Sequence, residues 1–315
     1  MGTTKPTLSV AVITYNQEGL LGATLDSILS QKHDYPYEIV IGDDSSRDGT
    51  RDVIEGYRTR YPGTIKAILN ERNLGITGNY YNVIRHCMGD YVMQCAGDDF
   101  WLPGKVALQL AFMEANPGIG MCYTKARNVF DNKRILDDAT WGGRSVSFDA
   151  LLERNTVPAV TMAFRSDALK SFLAEVRPDE RPWPIEDYPE VLWFALRSRI
   201  GFIDSCTAAY RVVSDSAVHT KDFSKIEKLN LATRDIKRFY IAMADGKADK
   251  DALVRADDAL YRSYLSHYLR DDRELALHYY RKIAEPTFKD KIKYSMCRFP
   301  WLHTLSIRLA KTLKS

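Results

Sequence analysis

Three pairs of neighbouring acidic residues are the side chains of this sequence most able to do chemistry. They are Asp43-Asp44, Asp98-Asp99 and Glu186-Asp187. Adjacent carboxylates on a tight turn can hold a hard divalent cation such as Mg²⁺ or Mn²⁺ and leave positions open for phosphate oxygens. A carboxylate at a helix start in a cleft can also act as a general base. Each pair has a simpler interpretation as well, because acidic residues are common in turns and favourable at helix N-termini.

The first hundred residues alternate between strand and helix patterns, which would bring two of these pairs to one edge of a sheet. Short apolar runs predict strands at residues 8–14, 37–41, 64–69 and 91–95. Amphipathic helices are predicted between them at residues 17–31, 48–57 and 78–87. This order predicts an α/β fold with an open, mostly parallel sheet, flanking helices and right-handed crossovers.

Ligands of such sheets bind beyond the carboxyl ends of the strands, so the residues that follow each strand are the candidate contacts. They are Thr14, Tyr15 and Asn16 after the first strand, Asp43 and Asp44 after the second, residues 70–75 after the third, and Asp98 and Asp99 after the fourth. Two acidic pairs at one rim repel each other unless a cation or a donor-rich ligand compensates. The sequence therefore predicts a metal or nucleotide site at this edge.

Residues 121–213 have a weaker pattern of shorter elements. We predict loops at 121–156, strands at 157–164, 201–203 and 207–213, a helix capped by Ser166, and a helix at 191–197. Glu186 and Asp187 open the second of these helices, after a segment rich in proline. This position is compatible with a base in a cleft and equally with a favourable charge at a helix start.

The C-terminal part of the chain has a different character. Residues 223–285 are charged, helically periodic and almost free of glycine, which predicts two or three helices. We therefore divide the chain into an α/β domain at 1–220 and a helical region at 221–315, whose helices are candidates for a homodimer contact. Residues 288–315 combine basic side chains with apolar ones at helical spacing. Such a segment can lie on an anionic membrane surface or pack on the protein body, and both interpretations stay open.

Composition is that of an ordinary globular protein. The formal net charge is only +3, from 44 basic and 41 acidic residues, whereas a nucleic-acid binder shows a basic face or stripe. The five cysteines are widely spaced and form no CxxC pair, which favours reduced, buried thiols over disulfides or a zinc site. The N-terminus is not typical of a signal peptide, and no apolar stretch has the length of a membrane span. We expect a soluble cytoplasmic protein without a nucleic-acid partner.

Taken together, six short motifs in a fixed order resemble those of the family two glycosyltransferases, which have the GT-A fold. The segments are residues 8–16, 43–50, 70–79, 97–105, Glu186-Asp187, and Tyr210-Arg211 with Ser214 and Ser216. The family's second motif usually reads Asp-Asp-Gly-Ser-x-Asp-Gly-Thr, and here it reads Asp-Asp-Ser-Ser-Arg-Asp-Gly-Thr. The resemblance covers about residues 7–220. It implies a GT-A, Rossmann-like domain that binds a nucleotide-sugar donor.

For the donor, the resemblance implies contacts at the ends of the first four strands. Asp44, with Asp43 close by, would contact the nucleobase, which is expected to be uracil. Thr14 and Tyr15 would line the same pocket. The further nucleotide contacts are expected to be Asn16, Asn73, Gly75, Asn79 and Asp98.

For the chemistry, the resemblance implies a divalent metal ion and a general base. Asp98 would be the main bridge to Mn²⁺ or Mg²⁺, with Asp99 beside it. Asp187 would take the proton of the acceptor hydroxyl, while the cation neutralises the departing diphosphate. In-line attack on the anomeric carbon would invert its configuration. The implied activity is transfer of a hexosyl or N-acetylhexosaminyl group to a glycan or lipid-linked glycan of a bacterial surface polysaccharide.

Two positions depart from the family's pattern. An aspartate often stands two residues before Asp98, and here that residue is Ala96. A histidine often stands two residues after the arginine of the last motif, and here that residue is Val213. His219 follows a few residues later and is a candidate metal ligand. A histidine in a polar loop is more often only solvated, so both interpretations of His219 stay open.

Other functions fit parts of the sequence. A degenerate member that binds a nucleotide or glycan without turnover is favoured by Ala96 and Val213. A dehydrogenase or nucleotidyltransferase is disfavoured, because no G-x-G-x-x-G follows the first strand and no P-loop occurs. The Gln-x-x-Arg-Trp motif of processive synthases is also absent. We therefore expect one or a few sugars to be added, at the inner face of the cell membrane if the basic C-terminal segment binds lipid.

Overall fold

The computed structural model describes residues 5–130, 135–144, 146–212, 222–246, 248–249 and 251–299. The chain forms two compact units. The first comprises Met1–Leu151 and Asn155–Tyr240, and the second comprises Leu152–Arg154 and Ile241–Ser315. The domain boundary predicted at residue 220 falls in the segment 213–221, outside the described residues, and stays a prediction.

The secondary structure follows the alternating order predicted for the first hundred residues. The strands are β1 (Leu8–Thr14), β2 (Tyr37–Asp43), β3 (Ile65–Leu69), β4 (Tyr91–Ala96), β5 (Phe100–Trp101), β6 (Met121–Phe130), β7 (Ile135–Trp141), β8 (Ala163–Arg165) and β9 (Ile200–Val212). The helices are α1 (Glu18–Leu29), α2 (Thr50–Arg60), α3 (Gly75–His86), α4 (Lys105–Ala115), α5 (Phe148–Glu153), α6 (Ser166–Val176), α7 (Asp187–Arg197), α8 (Phe223–Met243), α9 (Ala252–Asp271), α10 (Arg273–Tyr280) and α11 (Phe288–Arg298).

The sheet has a parallel half and a mixed half. Its order is β3-β2-β1-β4-β8-β6-β9-β5, with β7 paired to β6. The first four strands of this order are all parallel, with Leu8 opposite Tyr37 on one side and Tyr91 on the other. Strand β8 is antiparallel to β4 and β6, and β5 is antiparallel to β9. Strands β6 and β9 are parallel to each other. The predicted α/β fold class is confirmed, and the parallel half is the part that carries the predicted nucleotide motifs.

The strands β1, β2 and β4 are buried on both faces, which explains their continuous apolar sequences. Val10 and Val12 of β1 have no exposed surface and belong to one core cluster with Leu21 and Leu25 of α1. Tyr81 of α3 is likewise fully buried. Complete burial of such a side chain contributes about 1.5–3 kcal/mol to folding. The five cysteines are free and four of them are buried, as the sequence predicts.

Four predictions for residues 121–213 were wrong. Residues 121–156 are not mainly loop, because β6 and β7 form a hairpin there. The two short strands predicted near residues 201–213 are one strand, β9, whose register against β6 shifts near Lys125. Only Ala163–Arg165 of the strand predicted at 157–164 is extended. Ser166 is the first residue of α6 instead of its cap, and its hydroxyl donates to the Gly89 carbonyl oxygen.

The second unit contains α9, α10 and α11 around a small core of Leu265, Ala276, Ile283 and Cys297. Thr287 and Asp290 form a capping box at the start of α11. Within the described residues, no helix is long and apolar enough to cross a membrane. Most of the basic amphipathic segment predicted at 288–315 lies outside the described residues, since these end at Phe299.

Candidate active site

The Asp98-Asp99 turn follows β4 and is held by two other elements. The backbone N–H of Arg211 on β9 donates to Asp99 Oδ1 over 2.8 Å, and Arg211 Nε donates to the Asp98 carbonyl oxygen over 2.8 Å. The Thr24 hydroxyl on α1 lies 2.8 Å from the Gly97 carbonyl oxygen and 2.6 Å from that of Asp99. Arg211, which belongs to the last of the six motifs, therefore contacts the turn predicted to bind metal.

Gly97 lets the ends of β1 and β4 approach each other. A Cβ atom at this position would lie 2.4 Å from Gln17 Oε1 and 2.9 Å from Thr14 Oγ1, closer than real contacts of this kind. These two side-chain oxygens are themselves 2.7 Å apart in a hydrogen bond. A side chain at position 97 would therefore displace the turn that carries the acidic pair.

The two carboxyl groups of this turn are unfavourable neighbours. Asp99 is only 3% exposed, and its burial, together with the charge of Asp98, raises its pKa well above the usual range. Burial also raises the pKa of Asp98, although Arg211 and Gln17 oppose this effect. Close and partly desolvated carboxylates favour a bound cation that compensates their charge.

The residues around this turn offer hard oxygen ligands without forming a complete metal cage. Among the described residues, no group of three or more histidine, cysteine, aspartate or glutamate side chains could hold a metal ion. Ala96 occupies the position where a further carboxylate would stand, and His219 lies outside the described residues. The carboxylate chemistry fits Mg²⁺ or Mn²⁺ when phosphate oxygens complete the coordination.

The Asp43-Asp44 pair ends β2, and its two carboxylates have different surroundings. Asp44 Oδ1 accepts hydrogen bonds from Leu74 N–H at 2.7 Å and Asn70 Nδ2 at 3.2 Å, and its Oδ2 accepts one from Gly75 N–H at 2.9 Å. Asp44 therefore holds the turn that starts α3.

Asp43 uses only one of its two carboxylate oxygens in hydrogen bonds to the described residues. Its Oδ2 accepts from Arg51 Nε at 2.6 Å and from Ser46 N–H at 3.2 Å. Its Oδ1 is buried and has no hydrogen-bond partner among the described residues. A buried acceptor of this kind is normally satisfied by a ligand, an ion or water. In this arrangement Asp43 has a carboxylate oxygen that its protein neighbours leave unsatisfied, whereas both carboxylate oxygens of Asp44 accept hydrogen bonds.

The predicted contacts after β3 divide into an exposed turn and a buried support. Asn73 is exposed, and its side chain joins the turn by accepting from Gly75 N–H at 3.1 Å and donating to the Asp44 carbonyl oxygen at 3.1 Å. Asn79 is only 2% exposed. Its Nδ2 donates to the Gly42 carbonyl oxygen at 2.9 Å and its Oδ1 accepts from Asn70 at 3.0 Å. Asn79 thus supports the turn through Asn70, and both polar atoms of its amide already form hydrogen bonds within the protein.

The turn after β1 is joined to the turn after β2. Asn16 has a left-handed φ of 51°, its N–H donates to Ser46 Oγ at 2.9 Å, and its Oδ1 accepts from Arg47 N–H at 2.8 Å. Thr14 is buried, whereas 44% of the Tyr15 surface is exposed. Tyr15 is therefore the side chain of this turn with a ring that a ligand could reach.

The Glu186-Asp187 pair starts α7 and is positioned by α3. The Tyr81 hydroxyl donates to the Glu186 carbonyl oxygen at 2.9 Å, and the Thr77 hydroxyl donates to the Trp183 carbonyl oxygen at 2.8 Å. Burial raises the pKa of both carboxyl groups, and the charge of Asp187 raises that of Glu186 further. A carboxylate whose pKa lies closer to neutrality is a better general base than an ordinary one.

A small cavity joins the second and third acidic pairs. It has a volume of about 40 Å³, and its lining includes Asp99, Glu186, Tyr80 and Gln94. Burial raises the pKa of Tyr210 on β9 to about 12, and the charges of both acidic pairs add to this effect. The structure thus brings the turn predicted to bind metal close to Glu186, the neighbour of the predicted base.

Sequence reasoning missed Glu190, one turn after the predicted base. It has no exposed surface, its Oε2 lies 3.2 Å from the Tyr80 hydroxyl, and that hydroxyl also contacts Gln94. Burial raises the pKa of Glu190 well above the usual range. The available signal was a single acidic residue among the apolar side chains of residues 188–194.

Comparison with known proteins identifies the family. Residues 9–173 match the family described as glycosyl transferase family 2, which is more than half of the chain. The chain belongs to glycosyl transferase family 2. An uncharacterized protein of Mycobacterium tuberculosis is 32% identical over 162 residues, covering 50% of this chain and 46% of the relative. The chain thus spans about half the length of this relative.

Two relatives have more specific names. A putative teichuronic acid biosynthesis glycosyltransferase, TuaG of Bacillus subtilis, is 25% identical over 76% of this chain and 92% of its own length. WfgD of Escherichia coli is 25% identical over 52% of this chain and 62% of its own length. It is named a UDP-Glc:alpha-D-GlcNAc-diphosphoundecaprenol beta-1,3-glucosyltransferase.

Solved structures share the fold. TarS of S. aureus, in complex with UDP-GlcNAc, superposes with a TM-score of 0.60 and 18% identity over 93% of this chain and 87% of the other. The mannosyltransferase PcManGT of Pyrobaculum calidifontis, in complex with GDP-Man and Mn²⁺, superposes with a TM-score of 0.51 and 18% sequence identity. The match covers 95% of this chain and 88% of the other. The predicted GT-A fold is confirmed.

Proposed function

We propose that this chain transfers a sugar from a UDP-sugar donor to a hydroxyl group of a glycan or lipid-linked glycan, with inversion at the anomeric carbon. The reaction is assisted by a divalent cation, and Asp187 is the general base. The observation that carries the proposal is the cavity lined by both Asp99 and Glu186. It supports a leaving-group site and a base that lie side by side, and membership of the glycosyltransferase family supports the class of reaction.

The edge formed by β1, β2 and β3 is the proposed nucleotide site. The buried Asp43 Oδ1 would accept the N3–H of uracil, and the exposed ring of Tyr15 would stack on a base. Asp44 keeps the turn at Asn73 and Gly75 in place for the donor. The UDP-GlcNAc bound to TarS and the UDP-glucose in the name of WfgD favour uridine as the nucleoside.

The turn after β4 is the proposed metal site. Asp98, which is partly exposed, would hold Mn²⁺ or Mg²⁺ with Asp99 beside it, and His219 remains a proposed further ligand. When bound, the cation supplies positive charge opposite the departing diphosphate. The Mn²⁺ in the PcManGT complex supports this choice of ion.

The start of α7 is the proposed site of proton transfer. Asp187 would accept the proton of the attacking hydroxyl as the new bond to the anomeric carbon forms. Because burial raises its pKa, the carboxylate holds that proton better than an exposed aspartate does. A single displacement by a hydroxyl on the face opposite the diphosphate would invert the anomeric configuration.

The acceptor and the location are proposed from the relatives and the sequence. WfgD is named for a diphosphoundecaprenol acceptor, and TuaG is named for teichuronic acid biosynthesis. Both names support an acceptor glycan of the bacterial surface, and we propose that it is extended in the cytoplasm at the inner face of the membrane. The basic segment at 288–315 is the proposed membrane contact, and the C-terminal helices are the proposed dimer contact.

Turnover of UDP-sugars by the purified chain tests this function. We expect release of UDP from one of UDP-glucose, UDP-galactose, UDP-GlcNAc or UDP-GalNAc in the presence of Mn²⁺, with a product of inverted configuration by NMR. Asp187→Asn should lower kcat by about 10²–10⁴-fold, with the KM for the donor nearly unchanged. Its matched control, Glu186→Gln, should keep most of the activity.

Two results would contradict parts of the proposal. Full activity in Asp187→Asn, or an equal loss in Glu186→Gln, would remove Asp187 as the base. A chain that binds UDP in calorimetry but neither transfers nor hydrolyses any of the four sugars would be a nucleotide-binding module, the alternative that Ala96 favours.

A further inference from the structure

Trp141, the last residue of β7, differs from the other tryptophans of the described residues in its exposure. It is 37% exposed, whereas Trp101, Trp183 and Trp193 are 3–5% exposed. A single exposed apolar side chain is ordinary on a protein surface. The position and the attachment of this ring are the features that point to a ligand.

The ring of Trp141 is fixed by its neighbours. Its Nε1 donates to Asn128 Oδ1 across the β6–β7 hairpin over 2.8 Å. The ring packs edge-on against Tyr210, with 6.0 Å between ring centroids and an angle of 90° between planes. The polar atom of the indole is therefore satisfied within the protein, and the accessible part of the side chain is apolar ring surface.

This ring stands next to the acidic turn. Tyr210 directly precedes Arg211, whose N–H and Nε bind Asp99 Oδ1 and the Asp98 carbonyl oxygen. In the sheet order, β6 and β9 lie on the opposite side of β4 from β1, β2 and β3. Trp141 is therefore separated from the proposed nucleotide site by the proposed metal turn.

We propose that the exposed face of Trp141 is a subsite for a pyranose ring of the acceptor. This inference rests on the proposed function and adds the place at which a sugar ring of the acceptor glycan is held. The face of an aromatic ring is negative, and the C–H groups on one face of a pyranose are weakly positive and apolar. The two surfaces match, and the pyranose hydroxyls stay free for the base.

Variants of Trp141 with a matched control test the subsite. Trp141→Ala should raise the KM for a glycoside acceptor about tenfold, which corresponds to about 1.4 kcal/mol, and Trp141→Phe should restore most of the affinity. The KM for the donor and the rate of donor hydrolysis should change less than about twofold. The control is Tyr61→Ala, because Tyr61 is 38% exposed and stacked on Tyr57, and it should leave all of these constants unchanged.

A binding measurement makes the test independent of turnover. In ¹⁵N-labelled protein, titration with methyl glycosides of glucose, galactose and N-acetylglucosamine should shift one indole N–H signal, and that signal should be absent in Trp141→Phe. An unchanged indole signal together with an unchanged acceptor KM in Trp141→Ala would overturn the subsite.

The remaining outcomes are also distinct. A rise in the donor KM alone would assign the ring to the donor sugar and overturn the proposal. A lower melting temperature of Trp141→Ala with unchanged KM values would show a purely structural ring. Absence of UDP release by the wild-type chain would count against the proposed function, whereas the NMR titration would still report on the subsite.

Discussion

The two sides of the candidate site differ in how their polar groups are satisfied. On the nucleotide side, the side chains of Asp44, Asn73 and Asn79 are engaged in hydrogen bonds within the protein. On the catalytic side, Asp99 and Glu186 have raised pKa values because they are buried beside other carboxyl groups. Apart from Asp43 Oδ1, the hydrogen bonds of the first side are formed within the folded chain, whereas the second side keeps an electrostatic cost that a cation and a substrate can relieve.

The largest effect is expected on the catalytic side, from Asp98→Asn. Loss of one carboxylate should lower the Mn²⁺-stimulated kcat at least about 10²-fold, since a metal ion supplies several kcal/mol of transition-state stabilisation. The melting temperature without metal should not fall, because a repulsive charge is removed. Steady-state kinetics and thermal denaturation measure the two quantities. The control is Asp52→Asn on the exposed side of α2, which should change neither quantity. A melting temperature of Asp98→Asn below that of the wild type would contradict the prediction.

A smaller effect on activity but a larger one on stability is expected on the nucleotide side, from Asp44→Ala. The Leu74 N–H loses its acceptor, and the Gly75 N–H keeps only its hydrogen bond to Asn73 Oδ1. Lost hydrogen bonds to a charged group at a helix start should lower the free energy of unfolding by about 2–3 kcal/mol. Urea denaturation measures this change, with Asp52→Ala as the control. A stability equal to that of the wild type would mean that the turn does not depend on Asp44.

A change in stability with pH is expected from Glu186→Gln. Burial raises the pKa of Glu186 in the folded chain, so the folded state holds more protons than the unfolded state above the ordinary glutamate pKa of about 4.3. The free energy of unfolding therefore falls as the pH rises from that value through the raised pKa. Glu186→Gln removes this loss, so its melting temperature should equal that of the wild type at low pH and exceed it at high pH. Parallel curves at all pH values would contradict the raised pKa.

The sequence predicts the parallel half of the sheet well, for a clear physical reason. Because β1, β2 and β4 are buried on both faces, their apolar runs are continuous, and their predicted bounds agree with the structure within two residues. In β6 and β9, polar residues such as Lys125 and Asp204 interrupt the pattern where the register shifts. A bulge of this kind depends on the neighbouring strand, so the local sequence does not reveal it.

The sequence predicts which residues stand at the candidate site, but it does not reveal which partners orient their side chains. The sequence places Asp43 and Asp44 at the end of one strand, but the direction of each carboxylate is set by Arg51 on α2 and by the N–H groups of Leu74 and Gly75. These partners belong to other elements, and their distances are a property of the fold. Glu190 was missed for the same reason, because its burial against Tyr80 appears only in the packed chain.

The hydrogen bonds of Asp44 also have a consequence for the thermodynamics of donor binding. The turn at residues 70–75 loses its conformational entropy when the chain folds, because Asp44 already fixes two of its N–H groups. An unordered turn would have to lose that entropy during each binding event. At the proposed site the donor would therefore meet a turn that is already ordered, and we expect its binding entropy to reflect released water and its own immobilisation.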